Sequence, residues 1–135
     1  MSAPNLFFST PVWASKAENY KETNEEIYNY IKKLQTEDND GIIKSNVKGW
    51  HSKDFDLKNS VVIKFINLIS PNINQVIKDM QWDINSQTVK ITSMWSIINT
   101  GGASNARHHH GNSDISAAYY VRAPENSGEI VFYDP

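Results

Sequence analysis

Three consecutive histidines, His108-His109-His110, are the residues in this sequence best suited to chemistry. In an extended segment, side chains two apart point the same way. His108 and His110 can therefore face one metal ion while His109 turns outward. Imidazole suits Fe(II), Zn, Ni and Cu, and two such rings supply only part of a coordination shell. A facial triad needs a third protein ligand and leaves positions open for substrate and oxygen. The same three residues also read as a solvated turn that holds metal only adventitiously, and a short motif alone does not separate the two readings. Asp114 offers a carboxylate, but it lies four residues past His110 and would have to fold back. His51 stands alone and reads as a loop residue rather than a ligand.

Composition narrows what can surround the histidines. A chain of 135 residues suits one small domain with a single core. Hydrophobic residues make up 39%, as in an ordinary soluble protein. The absence of cysteine excludes disulfide scaffolds, zinc-thiolate sites and cysteine nucleophiles. Any metal must be held by histidine, carboxylate, amide or water. A net charge of -2 gives no global basic field for nucleic acid. No apolar run reaches membrane-spanning length, and Met1 to Asn5 lacks the basic and apolar regions of a signal peptide. The expected setting is cytoplasmic, with no membrane or nucleic-acid partner; a homodimer is allowed.

The elements that must position the site follow from periodicity. Leu6 to Trp13 reads as a short extended opening, with Pro11 biasing Thr10 toward extended geometry. The spacing of Tyr20, Ile27, Ile31 and Leu34 predicts a helix over roughly 15–35. Thr23 with Glu26 matches a capping box that would start its regular part late. Thr36 to Gly41 ends it with turn chemistry, and a polar loop carries Ser45 to Ser52.

A second helical pattern runs over about 56–80, with Leu57, Val61, Phe65 and Leu68 in one row and Ile73, Val76, Ile77 and Met80 continuing it. Pro71 predicts a kink, or two helices with Ser70 as the second cap. After Trp82 the period changes to two. Val89, Ile91, Ser93, Trp95 and Ile97 share one face of a strand. Asn99 to Asn105 reads as a turn, Ile115 to Val121 as a second strand, and Glu129 to Tyr133 as a third. Helices first and antiparallel strands last argue an α+β fold with helices on one side of a sheet. Three strands with an open last edge are poorly protected, so the expectation is a single domain, 1–135, whose closing strands are missing.

From Trp95 to Pro135 the sequence resembles a family of 2-oxoglutarate/Fe(II)-dependent oxygenases frequent in marine phages and bacteria. The residues that carry the resemblance are Trp95, Asn99, Gly102, Asn105, His108-His109-His110, Ser116 to Val121, Pro124, Gly128 and Asp134-Pro135. Ser45-Asn46 and Gly49-Trp50-x-Ser52 resemble a further signature of the family, as does the opening from Leu6 to Trp13. Ala117-Ala118 stands where the family has Gly-Val.

The resemblance implies a double-stranded β-helix, or jelly-roll, with helices packed outside and its second half absent here. It implies Fe(II) as cofactor and 2-oxoglutarate as co-substrate, in a dioxygenase that hydroxylates an unidentified small molecule or protein side chain. It places His108 and His110 as metal ligands and Tyr120 and Asn99 as 2-oxoglutarate contacts. On residue type alone, Tyr119 and Tyr120 point to opposite faces, one into the core and one lining a cavity. Trp95 and Met94 fall near the expected mouth of the site and read first as core. The resemblance also requires a distal histidine and an arginine about ten residues beyond it. No histidine follows His110, and the only arginines are Arg107 and Arg122, so the chain by itself is expected to be inactive. Two other readings remain open: a cupin, whose first motif Gly102, His108-x-His110 and Asp114 imitate, and a non-catalytic jelly-roll binding or structural module.

Overall fold

A computed structural model describes residues 9–86 and 88–133. The expected opening lies partly outside these residues, as does the closing Asp134-Pro135. Two helices form the bulk of the fold: α1, Tyr20–Glu37, and α2, Ser60–Asp79. Four short strands follow the chain: β1, Asn46–Val47; β2, Trp50–His51; β3, Ile97–Ile98; and β4, Ser104–Asn105. The architecture is α+β with antiparallel pairing.

The buried positions of α1 are Thr23, Ile27 and Ile31, one helical face. Thr23 therefore lies inside the helix rather than at its start. The chain enters through Asn19 in the left-handed region (φ 52°), without a side-chain cap. At the other end, the indole Nε1 of Trp50 donates to the Asp38 carbonyl at 2.8 Å. This satisfies one of the carbonyls that a helix terminus leaves unpaired.

Helix α2 runs through Pro71 as a single element, so of the two expected forms the one with two helices and Ser70 as the second cap does not occur. Its cap is Asn59, whose side-chain oxygen accepts from the Val61 amide at 2.9 Å. Proline removes one intrahelical donor and costs about 3 kcal/mol in a helix interior. The apolar face continues across the proline and offsets this, with Val62 and Phe65 buried before it and Ile77 after it. The Ser70 hydroxyl adds a second donor to the Ile66 carbonyl at 2.7 Å, whereas the carbonyl deprived of its helical amide by Pro71 is that of Asn67.

Helices α1 and α2 pack through a core of Ile27, Ile31, Trp50, Phe55, Val62 and Phe65. Ile27 and Val62 are 1% and 0% exposed. Lys64 reaches across to Glu22 (2.9 Å) and Glu26 (2.6 Å). These ion pairs are exposed and contribute little. Among the described residues no helix is long and apolar enough to cross a membrane.

The segment expected to be a polar loop, Ser45 to Ser52, contains β1 and β2. It runs antiparallel to the segment that holds β3 and β4, with Trp50 opposite Ile98 and His51 opposite Ile97. Further along, Asn46 lies opposite Asn105 and Val47 opposite Ser104. Backbone bonds extend both ends: Ser52 N to Ser96 O (3.0 Å), Phe55 N to Met94 O (2.7 Å) and Ala106 N to Ser45 O (2.7 Å). The whole is one antiparallel ribbon with an interruption. Two residues, Lys48 and Gly49, separate β1 from β2, whereas five, Asn99 to Ala103, separate β3 from β4. The excess is taken up in a turn closed by Ala103 N to Thr100 O (2.9 Å), with Gly102 at φ 81°.

The long strand expected from Val89 thus pairs only from Met94 onward. Neither Ile115–Val121 nor Glu129–Tyr133 forms a ladder. Alternation makes a segment compatible with a strand, but a ladder requires a partner. The stretch around Tyr119 is instead held by side chains of α1. Tyr119 packs edge-on against Phe65, with centroids 4.9 Å apart, and its hydroxyl donates to Asn24 Oδ1 at 2.7 Å. Asn24 Nδ2 donates to the Val121 carbonyl at 3.2 Å. Arg122 places both oxygens of Glu25 within 2.9 Å and lies 3.5 Å over the Tyr28 ring.

Candidate metal centre

The ribbon delivers the histidines. Beyond β4, the Ala106 amide donates to the Ser45 carbonyl, which fixes the strand end. The Ala106 carbonyl then lies 2.8 Å from Nδ1 of His108. A carbonyl can only accept, so Nδ1 carries a proton, and in the neutral ring this tautomer leaves the lone pair on Nε2. This is the arrangement in which a histidine ligand is oriented by its other nitrogen.

The rings of His108 and His110 meet edge to face with centroids 4.9 Å apart. Two imidazoles sharing one ion, each with nitrogen about 2.1 Å from the metal, have centroids about 4.5–5.3 Å apart. The centroid spacing of the pair is compatible with part of a coordination shell. His109 does not join it; its ring lies toward Gly111, where an added Cβ would come within 3.4 Å of it. Among the described residues no group of three histidine, aspartate or glutamate side chains gathers, and Asp114 stays apart, exposed to solvent.

Asn99 belongs to a polar cluster at the turn of the ribbon. Its Nδ2 donates to Asn105 Oδ1 at 3.1 Å, and Asn105 Nδ2 donates to Ser45 Oγ at 3.2 Å. A Cβ at Gly49 would overlap the Asn99 amide, so glycine there permits the close approach. Tyr120 is 60% exposed and lines a shallow open depression with Ala123, Gly128, Glu129 and Ile130. Neither Asn99 nor Tyr120 forms a hydrogen bond to the histidine pair among the described residues. Tyr119 lies inward, and burial raises its pKa above the ordinary tyrosine value.

His51 is not the loop residue its isolation suggested. It sits in β2, is 5% exposed, and holds Nδ1 2.6 Å from the Ser52 carbonyl. Its ring stacks on Trp95 at 5.8 Å with the planes 12° apart, and Trp95 in turn lies 5.7 Å from His110. A signal was present in the sequence, because His51 is the residue enclosed by Gly49-Trp50-x-Ser52.

Residues 93–135, roughly the last third of the chain, match the family model described as "Putative 2OG-Fe(II) oxygenase". No curated protein and no solved structure matches the chain. The matched stretch includes both histidines of the pair, and the family implies Fe(II) and 2-oxoglutarate in general terms.

Proposed function

We propose that this chain supplies two metal ligands, His108 and His110, of an Fe(II)/2-oxoglutarate-dependent dioxygenase that hydroxylates a small molecule or a protein side chain. The observation that carries the reading is the coincidence of the family match over 93–135 with a histidine pair whose spacing suits a shared ion. Bound Fe(II) with 2-oxoglutarate would supply oxygen activation coupled to decarboxylation of the co-substrate.

The residues of this chain contribute position and protonation state. Ala106 holds the Nδ1 proton of His108 and so presents Nε2. The ribbon fixes the direction from which both rings approach. Asn99 and Tyr120 are the residues we assign to 2-oxoglutarate, in the framework of a jelly-roll of which 1–135 would form the first and central part. The third protein ligand, and the cation that pairs with the far carboxylate of 2-oxoglutarate, would come from groups other than those described here.

Anaerobic titration with Fe(II), with and without 2-oxoglutarate, tests the reading. The expected result is binding that 2-oxoglutarate tightens and that His108→Ala or His110→Ala abolishes. Metal binding indifferent to 2-oxoglutarate would instead favour a cupin-like protein. Absence of binding would favour a non-catalytic module. With oxygen admitted, the chain alone should release no succinate above a metal-free control.

A further inference from the structure

His108 and His110 are oriented by different means. His108 has a hydrogen bond from Nδ1 to the Ala106 carbonyl. His110 has no hydrogen bond to its ring among the described residues, and it is exposed on an irregular segment. Besides His108, its ring lies against Trp95, with centroids 5.7 Å apart and the planes inclined by 36°. Trp95 in turn packs beside β2. In the β2–β3 register His51 lies opposite Ile97, so Trp95, two residues earlier, is its diagonal neighbour on the same face of the ribbon. The two rings stack nearly parallel.

His51 is itself held on several sides. It is buried, its Nδ1 is engaged by the Ser52 carbonyl, and its own carbonyl accepts from the Ile42 amide at 2.9 Å. Gly41 crosses so closely that an added Cβ would come within 2.8 Å of the Trp50 indole nitrogen and would overlap the His51 carbonyl. The rings thus run from a fixed, buried histidine through a half-buried indole to an exposed imidazole.

We propose that His51 and Trp95 form a brace that sets the ring orientation of His110, and that both are positioning residues for the metal pair. The proposal rests on the assignment of His108 and His110 as ligands. An imidazole free to rotate must be ordered when it binds an ion, and a ring already held against an indole is spared that cost. Aromatic contacts of this kind correspond to about a 3- to 10-fold effect on affinity.

The test uses the full chain and Co(II) as probe. Trp95→Leu should weaken Co(II) binding about 3- to 10-fold, Trp95→Phe should restore most of it, and Trp82→Phe should leave it unchanged. A second measurement needs no metal. In proton NMR spectra the ring protons of His110 should be shifted upfield by the indole relative to those of His109, and the shift should vanish in Trp95→Leu. Unchanged urea midpoints would separate orientation from folding. If Trp95→Leu binds Co(II) within twofold of the wild type while His110→Ala does not bind, the brace is refuted and the ligand assignment stands. If the wild type does not bind Co(II), or His110→Ala binds it equally, the ligand assignment falls and the brace with it. An absent ring-current shift would refute the brace whatever the metal does.

Discussion

Two serines facing each other across the ribbon should respond oppositely to the same substitution. Ser52 is 2% exposed, and its Oγ accepts from the Ser96 amide at 2.9 Å. The Ser96 hydroxyl is also buried but has no partner among the described residues. Ser52→Ala removes a single oxygen and leaves the Ser96 N–H buried without an acceptor, a cost of about 1–3 kcal/mol. Ser96→Ala removes a hydroxyl that already bears its desolvation cost unrelieved, so its effect should lie between zero and about 1 kcal/mol of stabilisation. Both changes are nearly isosteric, so cavity formation does not confuse the comparison. Urea unfolding followed by circular dichroism reads both, provided the denaturant slope is unchanged. The reasoning is refuted if Ser96→Ala costs as much as Ser52→Ala, because the pairing of these groups would then differ from the one described.

Three further outcomes follow from the core and its ionisable groups. Ile27→Ala, at a position 1% exposed between the helices, should lower stability by about 2–5 kcal/mol, read from the urea midpoint. Asn59→Ala should cost about 1 kcal/mol by removing the cap of α2, and Asn59→Asp should recover most of it. Burial raises the pKa of Tyr119 above 10.0, and burial followed by the charge of Asp56 raises that of Tyr30. The folded state therefore holds these protons more tightly than the unfolded one. Their contribution is present below about pH 10, the unfolded tyrosine value, and is lost as pH rises through the folded values. Tyr119→Phe should make the alkaline decline shallower, and an identical decline in wild type and variant would count against this account.

How far the sequence revealed the fold depended on whether a pattern needed a partner. The helices needed none to be recognised: Ile27, Ile31 and Phe65 declare their faces by spacing alone, although α2 buries Val62 most deeply where the expected row ran through Val61. The two-helix reading at Pro71 failed because a local rule was outweighed by an apolar face that continues on both sides. The strands were harder. Alternation around Trp95 was visible, but the partner segment, Asn46 to Phe55, carries Asn, Lys, Gly and His and reads as loop. Its pairing is set by register across more than forty residues. The reverse error befell Ile115–Val121, where alternation is clear and its consequence is visible in the inward Tyr119 and outward Tyr120, yet no ladder forms. The histidine pair was legible from its i, i+2 spacing. The stack of His51 on Trp95 was not, because it exists only through the diagonal geometry of β2 and β3.

The attachment of Tyr119, Val121 and Arg122 to Asn24 and Glu25 has a consequence for the order of events during folding. Hydrogen bonds at separations of 95 and 97 residues close a loop that contains nearly all of the structure. Closing such a loop is entropically costly and gains nothing until both ends are formed. The helices, built from local contacts, can be complete well before that clasp engages. The segment bearing His108 and His110 lies just inside the clasp, tethered by the ribbon on one side and by Tyr119 on the other. A chain leaving the ribosome would thus have its scaffold standing before its histidines are held at both flanks.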